Sequence, residues 1–350
     1  MNGAVRAKNR QVNGQSNYKR AAPIFHQEDH RINMLIVALD YKNSGQTLRS
    51  TEDAKHLEDL AKQSGVQNLV ALYDNRCTKD AVRTAIKKAG LQCGVNDYFI
   101  FYFAGHATSL RETGEQASHE LEEAFVLVDS SGRASQSSLL ADEDFSNLVL
   151  DSFKPETRIL ILTDCGHPVP LVNITRARWG GRQVIFIAGT EASENVPGED
   201  SKRGMFTHAL LLGIDKLSKV GRDNYSVGML FNALLLEDEL VFRCKQDVEI
   251  QSAPDCSPDT MAWPIVPSVG YQAPLTRCTG PGGVLSNASV FGISPALLQH
   301  VVQEALNAPV SIEEYLAQVQ GQAAFQFKPC STRACRACSA GCSTTPCTLQ

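Results

Sequence analysis

Five short runs are apolar almost without interruption: INMLIVALD (32–40), NLVALYD (68–74), DYFIFYFAGH (97–106), RILILTD (158–164) and QVIFIAGT (183–190). A strand with one wet face alternates apolar and polar residues; a strand buried on both faces does not. Such runs therefore call for a sheet covered on both sides. Between the first runs lie segments with helical spacing. In STEDAKHLEDLAKQSG (50–65), Ala54, Leu57, Leu60 and Ala61 share a face, with Ser50 as the expected cap and Gly65 as the stop. CTKDAVRTAIKKAG (77–90) repeats the pattern with Thr78 as cap, and DEDFSNLVL (142–150), GMFTHALLLGIDKL (204–217) and YSVGMLFNALLLEDELVF (225–242) read as further helices. AFVLVDS (124–130) fits either a fourth strand or a hairpin arm. Strands alternating with helices predict an α/β fold, with a mostly parallel central sheet and helices on both faces.

In open sheets of this kind, sites form in the loops beyond the C-terminal strand ends. Two segments there carry chemistry: GHATS after the 97–106 run and DCGH after the 158–164 run. No GxGxxG or GxxxxGK pattern follows the first strand, so nothing beyond the fold class speaks for a nucleotide. A net charge of −5 without a basic run argues against a nucleic-acid binder. No stretch is long and apolar enough to span a bilayer, and the polar N-terminus does not read as a secretory signal. The expectation is a soluble cytoplasmic protein without a membrane partner. Six of the eleven cysteines scatter between Cys77 and Cys278, and are expected to be small buried apolar side chains.

A thiol needs a neighbouring imidazole to become a nucleophile at neutral pH, because its ordinary pKa is about 8.5. His106 and Cys165 end two strands of one sheet, 59 positions apart, in the His-then-Cys order of caspase-type proteases. Around them the sequence resembles the metacaspase family. FYFAGHA resembles its histidine segment, ILILTDCGH its D-x-C-H-S-G segment and DAKHLEDL the helix start after the first strand. FIAGTEASENV with RGMFTHALL, and then KQDVEIQS, resemble its small-subunit region. The segments follow the type I order, large subunit before small, over roughly 32–268.

The resemblance implies a caspase-like three-layer sandwich and a cysteine endopeptidase with protein or peptide substrates. It implies His106 as catalytic histidine, and Asp53 and Asp164 as substrate-binding acids selecting Arg or Lys. It places Asp142 and Glu143 near an acidic pair tied to calcium, although both residues also suit a helix start. RARWGGR (176–182) falls where active relatives are cut, and its arginines suit a basic-specific pocket.

The departures bear on activity. Aligned on Asp164 and His167, the nucleophile position holds Gly166, and Cys165 stands one residue early. Ala107 replaces the glycine after the histidine, and Pro168-Val169 replaces Ser-Gly after the cysteine. A shift of one residue turns a strand side chain to the other face, unless a bulge at Gly166 re-aims the thiol. Two functions stay open. One is a metacaspase-like pseudoenzyme that retains an Arg/Lys-directed peptide pocket. The other is an active endopeptidase using Cys165 and His106. A legumain-like protease shares the His and Cys logic but not the flanking segments.

The expected organisation is a disordered arm (1–30), the peptidase-like domain (31–268), an extension with a helix (269–329) and a Cys-rich tail (330–350). The tail has a single CxxC and few apolar residues, which favours a plain tail over a zinc site.

Overall fold

The computed structural model describes residues 30–43, 46–110, 122–165, 170–192, 205–219, 224–237, 246–268 and 270–274. The expected N-terminal arm, the 294–307 helix, the Cys-rich tail and positions 166–169 lie outside these residues.

All five apolar runs become neighbouring strands. A six-stranded sheet has the order β2-β1-β3-β7-β8-β9. It is built from β1 (Ile32–Ala38), β2 (Asn68–Tyr73), β3 (Tyr98–Ala104), β7 (Arg158–Asp164), β8 (Gln183–Ala192) and β9 (Gln246–Ser252). Every pairing is parallel except that of β9 with β8. Two runs differ in detail from the buried-strand expectation. Most of β2, an edge strand, is half-buried, and β8 extends two residues past the predicted end. A second sheet, antiparallel, joins β4 (Ala107–Leu110), β5 (Glu122–Val126) and β6 (Leu139–Ala141). The segment around 124–130 is thus the hairpin arm and not a member of the main sheet.

Helices cover both faces. The even-numbered side chains of β3 meet the layer holding α1 (Ser50–Gln63) and α4 (Met205–Lys219), where the Tyr102 hydroxyl reaches Thr207. The odd-numbered ones meet the layer holding α2 (Lys79–Gln92) and α3 (Asp142–Ser152). On that side Phe99 stacks on Phe153 at 4.3 Å, and Phe101, Phe103, Phe125 and Phe145 form an edge-to-face cluster. Each fully buried aromatic ring contributes about 2–3 kcal/mol of burial. α5 (Val227–Glu237) packs against α4. Cys77, Cys93 and Cys256 are buried as expected, and burial pushes the first two thiols up to about 12.

Helix ends follow local chemistry, with one correction. Thr78 caps α2 by accepting from the Ala81 amide. Gly65 ends α1 at φ +73°, with the Gly65 amide bonded to the Lys62 carbonyl and the Val66 amide to the Ala61 carbonyl. That is a Schellman ending, which glycine adopts without the Cβ penalty. Ser50, however, is not the cap of α1. It is the first helical residue, and the N-cap position is Arg49, without a capping side chain. The carboxylate of Asp40, at the end of the first apolar run, accepts from both the amide and the hydroxyl of Thr51. The loop after β1 thereby returns its own acid to the helix it precedes.

Candidate active site

β3 and β7 are paired in register, with Ala104 opposite Asp164 as the last rung. The Gly105 amide continues the ladder to the Asp164 carbonyl at 3.3 Å. Cys165 is therefore level with Gly105, one residue short of His106.

The histidine is held from three directions. Its backbone amide donates to the Tyr41 hydroxyl at 2.9 Å, and its ring packs on the Tyr41 ring at 4.6 Å between centroids. Its Nε2 lies 2.9 Å from the Gln46 carbonyl oxygen. A carbonyl can only accept, so Nε2 carries the proton and the neutral ring keeps its lone pair on Nδ1. That is the tautomer a general base needs.

Tyr41 is the support. It is buried, has a left-handed backbone (φ 51°), and donates its hydroxyl proton to the Val126 carbonyl at 2.6 Å. A tyrosine in that backbone region costs on the order of 1 kcal/mol and persists where its surroundings over-determine it. Gly105 makes room: a Cβ there would sit 2.6 Å from the Tyr41 oxygen. Burial raises the phenol's pKa well above its ordinary value.

Asp164 and Cys165 part company at the strand end. Asp164 faces α4, where its Oδ2 accepts from the Thr207 amide at 2.9 Å and the Thr207 hydroxyl at 2.5 Å. The Tyr102 hydroxyl donates in turn to the Thr207 oxygen at 2.6 Å. Burial pushes the Asp164 carboxyl up to about 6, against the Thr207 hydrogen bonds, which pull it down. Alternation sends Cys165 to the other face. It is half-buried there, close enough to Tyr41 that a thiolate charge would raise the phenol's pKa further. Tyr41 thus packs on His106 and lies within electrostatic reach of Cys165.

The two acids expected in the substrate pocket do come together. Asp53 lies on α1, 2% exposed, and its charge contributes to the raised pKa of Asp164. Among the described residues both acids are enclosed. His208, 3% exposed on α4, places Nε2 2.9 Å from Asp53 Oδ1, and Thr207 covers Asp164. The first turn of α4 thus covers both carboxylates. Sequence reasoning missed His208. The signal available was its place in an apolar helix, since a polar side chain buried there requires a partner.

Asp142 and Glu143 begin α3 on the opposite face of the sheet. Asp142 is 5% exposed and accepts from the Ser146 hydroxyl at 2.8 Å and the Asn173 amide at 3.3 Å. Arg176 and Arg178 each approach its carboxylate to 3.9 Å, and Arg178 approaches Glu143 at the same distance. Among the described residues no group of three or more His, Cys, Asp or Glu side chains is placed to hold a metal ion. Calcium takes six to eight oxygens, and this pair, facing two guanidinium groups, does not fit one.

In the RARWGGR segment Ala177, Gly180 and Gly181 are exposed, but its other side chains are anchored. Trp179 is fully buried, and Arg182 donates to the Phe153 and Leu150 carbonyls at 2.7 and 3.0 Å, capping the C-terminus of α3. A protease needs an extended backbone, which this segment can present only after local opening.

Among the described residues no helix is long and apolar enough to cross a membrane. No curated protein sequence matches the chain. Among solved structures the chain is similar to the crystal structure of protein GSU0716 from Geobacter sulfurreducens. The two share 18% identity with a TM-score of 0.48, over 68% of this chain and 99% of that one. The family model described as metacaspase, peptidase C14 domain, matches residues 32–175. His106, Cys165, Asp53 and Asp164 all fall inside that match, and over residues 32–175 the chain is similar to the metacaspase-type peptidase C14 domain.

Proposed function

We propose that this chain is a metacaspase-like protein that binds Arg- or Lys-containing peptides at the rim of β3 and β7, with its cleavage step weakened or lost. One observation carries the reading: Cys165 directly follows Asp164 and leaves β7 on the face opposite that acid. The family order D-x-C sets acid and nucleophile on one face; here the residue two places after Asp164 is Gly166. A basic side chain reaching Asp53 and Asp164 must also displace the first turn of α4, so binding is expected to be weak.

The site supports a second reading for a specific reason. His106 is already in the tautomer with Nδ1 basic, and Tyr41, which packs on its ring, lies within electrostatic reach of Cys165. In that case Nδ1 takes the thiol proton and Cys165 Sγ attacks the peptide carbonyl carbon. The imidazolium returns the proton to the leaving amine as the C–N bond breaks, and water hydrolyses the thioester.

Cleavage of Arg- and Lys-containing reporter peptides separates the two. Under the first reading the parent is slow, Cys165→Ala leaves that rate unchanged, and Cys165→Ser with Gly166→Cys raises it. Parent cleavage that Cys165→Ala abolishes, with the double variant slower still, would establish the second reading. Binding of an Arg-terminated peptide aldehyde compared with a neutral one tests the pocket, and equal affinities would remove Asp53 and Asp164 from it.

A further inference from the structure

The acid pair at the start of α3 points to a device separate from the rim. Every acid in the first turn of α3 faces a base. Asp144 meets Lys79 and Arg83 of α2, Glu143 meets Arg178, and Asp142 meets Arg176 and Arg178. Asp142 is the most enclosed of the three, and both of its oxygens already accept a neutral donor, one from Ser146 and the other from Asn173. Arg178 approaches Asp142 through one nitrogen of its guanidinium and Glu143 through the other, so its single charge serves both carboxylates. Its loop is fixed from within by Trp179, which is buried, and by Arg182 on the far end of α3. The arginines are therefore delivered to the acids by the fold itself.

We propose that Arg176 and Arg178 are the built-in cations of the Asp142–Glu143 pair, and that they close it to calcium. A divalent ion entering there would meet two positive charges from the loop and would share the Asp142 oxygens with the Ser146 and Asn173 donors. The two arginines offset the charge of the acids without a metal, so the 176–182 segment stays seated in calcium and in chelator alike.

Calcium chloride titrated into the full chain, followed by calorimetry and by thermal unfolding, tests this directly. The parent is expected to give no binding heat and no rise in melting temperature at up to about 5 mM calcium, well above the range of weak protein sites. Arg176→Gln with Arg178→Gln should melt roughly 3–8 °C lower in chelator. It should regain part of that loss with calcium but not magnesium, and Asp142→Asn in the same background should remove the recovery. Arg178→Lys keeps the charge and should remain blind to calcium. If the double variant does not fold, Arg178→Gln alone is read in the same way. A calcium-dependent rise in the parent that Asp142→Asn abolishes would overturn the proposal, and so would a folded arginine variant that calcium leaves unchanged.

Discussion

Asp164 and Cys165 are adjacent in sequence and sit in opposite worlds. On the α4 side the acid is sealed: Thr207, Tyr102, Asp53 and His208 surround it in a buried polar network. On the other side the thiol is half-buried within electrostatic reach of Tyr41, whose ring packs on His106. Buried polar groups are costly when a partner is removed, whereas a half-wet site tolerates change. The acid side should therefore answer to stability measurements and the thiol side to reactivity.

The largest effect is expected at His208. Replacing it with alanine withdraws the Nε2–H donor from a carboxylate that is 2% exposed. Removing one partner of a buried pair costs about 3–5 kcal/mol, or a fall in melting temperature of roughly 10 °C for a domain of this size. Part of any loss is the cavity left by the ring, so the pair must be isolated with a double-mutant cycle using Asp53→Asn. A coupling near zero would mean that the two groups merely adjoin each other.

Asp164 should make stability depend on pH, with a sign opposite to that of an ordinary salt-bridged acid. Its carboxyl is raised by burial from 3.8 to about 6, so between these values the folded state holds a proton the unfolded state has released. The contribution is present in full below about pH 4 and is lost as pH rises to about 6, on the order of 2–3 kcal/mol. The neighbouring charges act in both directions, since Asp53 raises the pKa and His208 lowers it. In Asp164→Asn the decline across this window should disappear, as denaturant unfolding at pH 4, 5 and 6.5 would reveal. A parent and variant with parallel profiles would show that Asp164 titrates normally.

Arg182 offers a smaller test away from the rim. Alanine there releases the Phe153 and Leu150 carbonyls at the end of α3. The loss of a charged cap is expected to cost about 1–2 kcal/mol and to expose the 176–182 segment to trypsin. If the segment is cut equally fast in the parent, its seating on α3 is not protective.

The sheet was legible because residues buried on both faces must be apolar at every position; RILILTD, 158–164, became β7 without a change of boundary. β4 and β6 were not, being three or four residues long with no pattern of their own. At the site, order and spacing singled out His106 and the acids, and Asp53 lies within electrostatic reach of Asp164. What surrounds them was not readable. The Asp40 cap acts across 11 positions and the Gln46 acceptor is a backbone carbonyl, which any residue supplies. Arg178 facing Asp142 depends on how a loop folds back, which neither residue encodes locally.

Tyr41→Phe carries the smallest expected change in stability and the sharpest test of the thiol side. It deletes one oxygen that accepts from the His106 amide and donates to the Val126 carbonyl. The ring, and its packing on the histidine, remain. Losing these bonds at a buried position should cost about 1–2 kcal/mol, a shift of a few degrees in melting temperature. If Tyr41 only filled space, nothing else would change. If it positions His106, the imidazole should lose its fixed tautomer, seen as a shift of the ring nitrogen resonances toward the averaged values of a mobile histidine. The pH profile of Cys165 alkylation should move as well if the imidazole that Tyr41 positions serves the thiol. A variant with parent resonances and the parent alkylation profile would leave the tyrosine a packing residue, and His106 would owe its orientation to the Gln46 carbonyl alone.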